Sequence, residues 1–495
     1  MRGTPVRQDW IRKEGWTLGM AVLVGVLARV VWGFRLGVVN NEFHFPILLS
    51  AREALPFRGD ALVATLGNFA SPLWFFLSAL PSSWGLESIL EVVFVFSRIL
   101  LAWGVGLIVG SLVSSDAWRF RARLAGAVST LASGWILNLA AGADPVVSTY
   151  FSQTFLSIGL IACALGFGFS GKGWASALFL GLAYDVNLMQ ANFAAGILLP
   201  VWILEVSWDR QGARKLLQWF AIAAVAGAPG LFAILQVVGG PKLEGILSGR
   251  ELSDFAAFHI PGHFFWGMKS SLAHAQALSL VLIAPLAAWL SPRRSRTILA
   301  AAVVPLAYLV VQIVLQQVLP SRFLFQLHLF RSDVVCYLLV AGICIGAAID
   351  SASTSPRREV AIWTGASVLV LTGNFIPALA LLVGLAVRER LAGLAAIAAT
   401  LGVFGAMLVL ERSVGVSGTT IAVSCLAWLA ILPAPKHPWF ARFHAAIAFA
   451  CLAALCVMSF RTCTIDIRRE PRRDEVNYRA ALERARAASP AQALF

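Results

Sequence analysis

The stretch VNNEFHFPILLSAREALPFRGDALVATLGNFASPLWFFLSAL, residues Val39–Leu80, lies between two long apolar segments and decides how the chain is organised. It carries charged and amide side chains at high density: Asn40, Asn41, Glu42, His44, Arg52, Glu53, Arg58 and Asp60. Polar groups beside a membrane are costly and commonly mark a functional site. Its last part, Ser71–Leu80, is apolar but too short to span a bilayer, and it predicts a short interfacial helix behind a polar loop.

The composition of the whole chain indicates a membrane protein. Of its 495 residues, 59% are hydrophobic and only 13% are charged. Apolar runs near the length of a membrane span recur along nearly the whole chain, which predicts an all-α polytopic membrane protein. The formal net charge of +14 does not indicate nucleic acid, because Arg and Lys cluster in short loops between apolar runs, as topology signals do. Six of the seven Cys lie in apolar segments, and no CxxC spacing is present.

The charge pattern predicts a topology of roughly 13 to 15 spans with a cytoplasmic N-terminus. A membrane domain over 1–460 would then present three large outer loops, at 39–80, 239–268 and 319–333. The tail at 461–495 would lie outside. Arg119, Arg121 and Arg123 predict an inner loop.

Three segments depart from a simple pattern of long spans. Trp174–Leu204 contains Asp185, Asn187, Gln190 and Asn192, and predicts two short helices that meet at a polar turn, with Asp185 as a buried polar residue. Leu217–Val237 predicts one continuous helix. Val360–Val387 is interrupted at Thr372, Gly373 and Asn374, and fits two short spans or a re-entrant hairpin equally well.

The predicted outer loops hold the residues that suit catalysis or binding. Glu42 lies just beyond a helix end and is a candidate general base, with Asp60 as a weaker candidate. Arg suits a phosphate or pyrophosphate headgroup, because its fork holds two oxygens. The candidate substrate-binding residues are Asn41, His44, Arg250, His259, His263, Arg322, Gln326 and Arg331.

Each of these candidates also has a structural interpretation. Glu42 can pair with Arg52, and Asp60 in FRGD suits a turn. Arg322 and Arg331 can extend to the membrane interface, as Arg near helix ends commonly does. Pro261 and Gly262 would break a helix between His259 and His263, which argues against a metal site made from that pair. The metal question therefore stays open from the residues alone.

The layout resembles the GT-C superfamily of integral-membrane glycosyltransferases, which use lipid-phosphate-linked sugars. The resemblance rests on a first helix, a large outer loop opening with an acidic residue, and a short interfacial helix. It is closest to an uncharacterised group of bacterial polytopic membrane proteins, through NNEFHFPILLSAREALPFRGDALVATL, FHIPGHFFW, LFRSDVV and YRAALERARAASPAQALF. The acidic residue of such a loop acts as base or helps to hold a metal, and by position this implies Glu42. Arg322 or Arg331 would hold the lipid phosphate, and a divalent metal is implied by the resemblance alone. The segment that corresponds to the tail begins a longer outer domain in the group that the chain resembles, so the resemblance implies that 461–495 is the start of a truncated or lost domain.

Three functions are compatible with this pattern. The first is transfer of a sugar from a polyprenyl-phosphate donor to a lipid, glycan or protein acceptor on the periplasmic face of a bacterial inner membrane, with membrane lipid and the donor as partners. The second is a transporter or flippase for a lipid-linked or anionic solute, with Asp185 along its path. The third is a surface-polysaccharide polymerase or ligase. Polar residues concentrated in outer loops favour the transferases, and the oligomeric state stays open.

Overall fold

The computed structural model describes residues 5–35, 71–81, 83–132, 139, 141–142, 145–239, 251, 253–254, 266, 269–293, 295–318, 327–354 and 357–390. The regular elements of these residues are all helices, which confirms the predicted all-α class for this part of the chain. In chain order the helices are α1 (Pro5–Trp32), α2 (Pro72–Ser78), α3 (Leu86–Ser111), α4 (Asp116–Ser129), α5 (Gln153–Phe169), α6 (Gly173–Val186), α7 (Leu188–Glu205), α8 (Arg210–Ala226), α9 (Ala228–Gly239), α10 (Ser271–Leu290), α11 (Arg296–Val318), α12 (Asp333–Thr354), α13 (Arg357–Leu371) and α14 (Phe375–Arg390). A 3-10 turn, Leu329–Ser332, precedes α12.

Six of these helical segments are long and apolar enough to cross a membrane. They are Gly15–Trp32, Glu87–Ser111, Leu188–Glu205, Ser271–Leu290, Arg296–Val314 and Leu329–Ala352, and a bent pair made of α8 and α9 would add a seventh. The described part of the chain is therefore consistent with a polytopic membrane protein. The expected total of spans and the tail at 461–495 depend on residues after Arg390, which lie outside the described part.

Helices α3 and α12 form the centre of the bundle. α3 packs against α1, α4, α5 and α12, and α12 also packs against α10 and α13. In the Leu329–Ala352 span 89% of the residues are buried inside the protein, against 28% in Gly15–Trp32. α12 is therefore an internal helix, whereas α1 lies at the edge of the bundle, where Arg29 forms an ion pair with Glu91 of α3.

The helices run between two ends of the bundle that differ in charge. At the first, which we call the polar end, the chain passes through Arg35, Ser71, Gly142, Gln153, Asp185, Asn187, Lys269 and Asp333. Contacts across it include the Arg35 N–H donating to the Thr149 carbonyl (2.7 Å) and the Trp74 indole donating to Gln153 (2.7 Å). At the other, the basic end, the chain passes through Ser114, Arg119, Lys172, Glu205, Arg210, Lys215, Arg293 and Asp350. There Arg293 donates to the Ser111 carbonyl, and Asp350 accepts from the Ser114 N–H (2.9 Å).

The predicted short helix before the second long span is present as α2. Trp74 and Leu77 are buried against the bundle, whereas Phe75 and Phe76 are 60% and 65% exposed. Ser71 ties the start of this helix to the polar end, because its hydroxyl donates to the Val186 carbonyl (2.9 Å). The exposed aromatic pair suits the interfacial position that the sequence predicts, which stays a prediction.

The polar break at Asn187 is present, as predicted. α6 ends at Val186, α7 begins at Leu188, and Asn187 between them has extended backbone. Its side chain accepts from the Gln190 N–H (3.2 Å) and donates to the Thr154 hydroxyl (3.2 Å). This one residue thus caps α7 and fastens the break to α5.

The prediction of one continuous helix over Leu217–Val237 is wrong. α8 and α9 meet at Gly227 with a bend of 67°. Pro229 has no N–H to donate back to α8, and its ring disfavours a straight helix. The backbone there also lies against α6, since a Cβ on Gly230 would come within 2.6 Å of the Tyr184 carbonyl oxygen.

Two further segments bear on predictions made from the sequence. The loop predicted around Arg119, Arg121 and Arg123 is wrong, because all three lie within α4, where Asp116 in the first turn pairs with Arg119 (2.6 Å). The apolar stretch after Arg357 forms two short helices, α13 and α14, which pack against each other. Gly373 makes the turn between them with a φ of 77°.

Candidate functional site

The candidate site lies at the polar end, where a sharp turn leads into α12. His328 adopts a left-handed conformation with a φ of 46°, a region in which His is among the enriched residues. The Arg331 N–H then donates to the His328 carbonyl (2.8 Å), and the Leu329 N–H donates to the side chain of the buried Gln312 (3.3 Å). Leu329 and Phe330 are buried by this turn, while Arg331 remains partly exposed.

Asp333 fixes the turn to a distant part of the chain. It is only 2% exposed, and its carboxylate accepts from the Gly142 N–H at 2.7 Å. A Cβ on Gly142 would lie 2.7 Å from the Arg331 Cα and 2.9 Å from Asp333 Oδ1, so this approach requires glycine. We therefore assign Asp333 a positioning role, holding Arg331 against the Gly142 segment.

Lys269 brings a second cation to the same turn. Its amine lies 5.5 Å from the centre of the Phe330 ring, which is within cation–π range. Partial burial lowers the pKa of Lys269, and the negative charge of Asp333 opposes this by raising it. The result is a partly desolvated ammonium, which interacts with an anion more strongly than an ammonium in open water does.

A cluster of aromatic rings lies beside Lys269 and consists of Trp266, His274 and Phe330. The Trp266 ring lies 5.9 Å from that of Phe330 and 4.5 Å from that of His274. His274 Nε2 lies 2.5 Å from the Trp266 carbonyl oxygen, and this contact is a hydrogen bond when that nitrogen carries the proton. Lys269 contacts the Phe330 ring and Arg331 is the next residue along the chain, so both cations belong to this turn and lie near the same aromatic cluster. Two cations arranged in this way suit a phosphate group.

Asp185 forms a separate contact at the polar end. Its carboxylate accepts from the Gly230 N–H at 2.8 Å, and its side chain is partly buried. The Ser71 hydroxyl lies 3.3 Å from its backbone carbonyl. These contacts join α6 to α2 and α9, and they give the carboxylate a structural partner at the end of a helix.

Of the residues predicted from sequence, Arg331 and Asp185 are described by the structure, and they lie in these two different groups of contacts. The other candidates lie outside the described residues: Asn41, Glu42, His44, Asp60, Arg250, His259, His263, Arg322 and Gln326. Among the described residues, no group of three or more His, Cys, Asp or Glu side chains is arranged to hold a metal ion.

The sequence reasoning missed Arg98. This residue lies within the apolar helix α3 and is only 3% exposed. Its guanidinium donates to the Ser148 carbonyl (2.5 Å) and lies over the rings of Phe94 (4.6 Å) and Phe155 (5.3 Å). The signal was available, because a lone Arg in the apolar run FVFSRILLAWG is costly unless it faces the protein interior.

Two other polar residues of interest were not singled out from sequence. Lys269 stands directly before Ser270, whose hydroxyl caps α10, and a Lys at a helix start reads as an ordinary surface residue. Gln190 was noted only as part of a polar turn. Its side-chain amide is fully buried and has no hydrogen-bond partner among the described residues.

The chain was also compared with known proteins. No family model, no curated protein and no solved structure matches it.

Proposed function

We propose that this protein is a membrane-embedded transferase of the GT-C type that moves a sugar from a polyprenyl-phosphate carrier to a lipid, glycan or protein acceptor. The observation that carries the proposal is the presence of two cations at one turn of the polar end, since Lys269 lies against the Phe330 ring and Arg331 directly follows Phe330 in the chain. A dianionic or diester phosphate on a long isoprenoid would be held there at the end of a helical bundle. The resemblance of the sequence layout to GT-C enzymes supports the same proposed function.

In the proposed reaction, Glu42 removes the proton of the acceptor hydroxyl. The acceptor oxygen attacks the anomeric carbon, and the bond between that carbon and the phosphate oxygen breaks. The electron pair stays on the departing phosphate, where Arg331 and Lys269 balance the charge. Glu42 lies outside the described residues, so its place in this scheme rests on the sequence and on the resemblance.

The proposed orientation places the polar end on the periplasmic side of a bacterial inner membrane. Lys and Arg are concentrated at the basic end in the described part of the chain, as cytoplasmic ends require. Labelling with a membrane-impermeant maleimide tests this arrangement in intact cells. We expect a cysteine introduced at Ser270 to react and one introduced at Ser114 to stay unreacted, and the reverse pattern would contradict the orientation.

The phosphate site is tested by binding of radiolabelled polyprenyl phosphate to the full chain in nanodiscs. We expect Arg331→Gln and Lys269→Gln each to weaken binding by about 10- to 100-fold, since hydrogen bonds to charged groups contribute about 1.5 to 3 kcal/mol. Arg331→Lys should recover part of the loss. Arg121→Gln, at the basic end, serves as the matched control and should bind as the wild type does. Equal binding of polyprenyl phosphate by all four variants would contradict the assignment of Lys269 and Arg331 to a phosphate site.

A transporter or flippase is the second candidate, and Arg98 is the observation that favours it. A buried cation inside a bundle commonly marks the path of an anionic solute. Transport of a fluorescent polyprenyl-phosphate lipid between leaflets of proteoliposomes separates the two functions. Rapid transport that Arg98→Gln abolishes and Glu42→Gln leaves unchanged would favour transport, whereas sugar transfer without lipid movement would favour the transferase.

A further inference from the structure

We infer that a groove at the basic end, between the turn at Gly171–Trp174 and helix α8, binds the headgroup of one anionic phospholipid. The groove is open and has a volume of about 560 Å³. Its lining residues are Gly171, Gly173, Trp174, Lys215, Gln218, Trp219, Ala221 and Ile222. None of these residues belongs to the polar end, so this inference is independent of the proposed transfer reaction.

The Trp219 side chain, which lines the groove, packs against the buried Trp202. Its ring lies 6.1 Å from the ring of the buried Trp202 in an edge-to-face arrangement. Trp202 in turn donates from its indole N–H to the Ser176 hydroxyl at 3.2 Å. Gly173 lies directly against the Trp219 ring, where a Cβ would overlap the ring atoms. The turn can therefore approach α8 closely and leave a defined cleft above this contact.

The lining changes from charged to apolar along the helix. Lys215, Gln218, Trp219 and Ile222 follow the i, i+3, i+4, i+7 spacing of one helix face. Seven residues of α-helix separate the Cα atoms of Lys215 and Ile222 by about 10 Å along the axis. A phosphate next to Lys215 would thus place the glycerol backbone and the first acyl carbons beside Trp219 and Ile222. A free phosphate ion would leave this apolar half of the groove unused.

Exposed aromatic and apolar side chains place this groove at a boundary between water and lipid. Trp174, on the rim, is 59% exposed, and Trp208, near the start of α8, is 89% exposed. Farther along α8, Val225 is 77% exposed and Leu217 is 69% exposed. Trp residues are typical of the headgroup level of a membrane, with apolar residues beyond them.

The local charge balance favours an anion. The cations next to the groove are Lys172, Arg210, Arg214 and Lys215, and the carboxylates are Glu205 and Asp209. Asp209 caps α8, since it accepts from the Gly212 N–H (2.7 Å) and the Ser207 hydroxyl (2.9 Å), and its negative charge also attracts Lys215. Glu205 lies at the Gly171 corner, 3.7 Å from the position of a Cβ on that glycine. Four cations against two carboxylates leave the Lys215 end of the groove with a net positive charge.

Native mass spectrometry of the full-length protein, titrated with dioleoyl phosphatidylglycerol or dioleoyl phosphatidylcholine, tests this inference. We expect one tightly held phosphatidylglycerol and weaker phosphatidylcholine. Lys215→Gln should weaken phosphatidylglycerol binding by about five-fold, because each basic residue near an anionic lipid surface contributes roughly that factor. Lys215→Arg should retain it. Trp174→Ala should weaken both lipids, because it removes the rim that contacts the glycerol region.

Arg121→Gln is the matched control, because Arg121 is an exposed cation of the same end that lies over its own aromatic ring, Trp118, at 4.9 Å. It should bind phosphatidylglycerol as the wild type does. Equal retention of the two lipids, or equal weakening by Lys215→Gln and Arg121→Gln, would overturn the inference. Binding of glycerol 3-phosphate as tightly as the lipid would also overturn it, because the apolar half of the groove would then contribute nothing.

Discussion

The two ends of this bundle use cations in different ways. At the basic end Lys215 and Arg121 are exposed, and Arg121 lies over the half-buried ring of Trp118. At the polar end Lys269 and Arg331 are partly buried beside the enclosed Phe330, and they lie next to the nearly inaccessible carboxylate of Asp333. An exposed cation is screened by water and salt, whereas a partly desolvated one acts strongly over a short distance. The exposed cations of the basic end therefore suit orientation of the protein in the membrane and contact with lipid. The partly buried cations of the polar end suit recognition of a specific anion.

The largest expected effect concerns Glu42, the proposed base. Glu42→Gln keeps the size of the side chain and removes the base, so transfer from a polyprenyl-phosphate sugar should fall by roughly 10²- to 10⁴-fold. Expression and thermal stability should change little, because the change affects a residue of a polar sequence segment. Full activity in this variant, measured with purified protein in nanodiscs, would refute the assignment of Glu42 as the base.

A pair of glycine substitutions sharpens the comparison by disturbing each end equally. Gly142→Ala and Gly173→Ala both introduce a Cβ into occupied space, against the Arg331 backbone at one end and the Trp219 ring at the other. Each should lower the free energy of unfolding by about 1 to 3 kcal/mol, which is typical of overpacking. Thermal unfolding monitored by tryptophan fluorescence measures this loss.

The same two variants should differ in which ligand they bind less well. Gly142→Ala should also weaken binding of polyprenyl phosphate, because it displaces Arg331. Gly173→Ala should leave that binding unchanged and instead reduce retention of phosphatidylglycerol. If both variants lost both ligands in parallel, the two ends would not be independent sites.

The smallest expected effect is a change in pH dependence at the polar end. Burial lowers the pKa of Lys269, so this lysine loses its charge at a lower pH than an ordinary lysine does. Phosphate binding should therefore fall over that same pH range. Asp333 raises this pKa, so Asp333→Asn should move the fall to still lower pH while its amide oxygen can still accept from Gly142. A binding profile measured across the alkaline range checks the direction. Asp350→Asn, the same change at the other end of α12, should leave the profile unmoved.

Local signals in the sequence predicted the helical class, the short helix at Pro72–Ser78 and the break at Asn187. In each case the signal lies in adjacent residues, such as the polar side chains that interrupt an apolar run between Asp185 and Asn192. The bend at Gly227 was missed because hydrophobicity continues through it, although Pro229 and Gly230 signal a turn. The juxtaposition of Lys269, Arg331 and Asp333 with Gly142 could not be predicted from one sequence, because it depends on which helices pack together.

The clamps at the two ends of α12 have a consequence for biogenesis. Asp333 bonds to Gly142, 191 residues earlier, and Asp350 bonds to the Ser114 backbone and hydroxyl, 236 residues earlier. At the usual pace of synthesis, the partners of α12 wait about 10 to 50 s after they leave the ribosome before this helix is made. Until α12 is made, the surfaces of α3 and α4 against which it packs are left for lipid or other parts of the chain to cover. When α12 packs there, Asp333 and Asp350 fasten its two ends to backbone groups of segments made earlier.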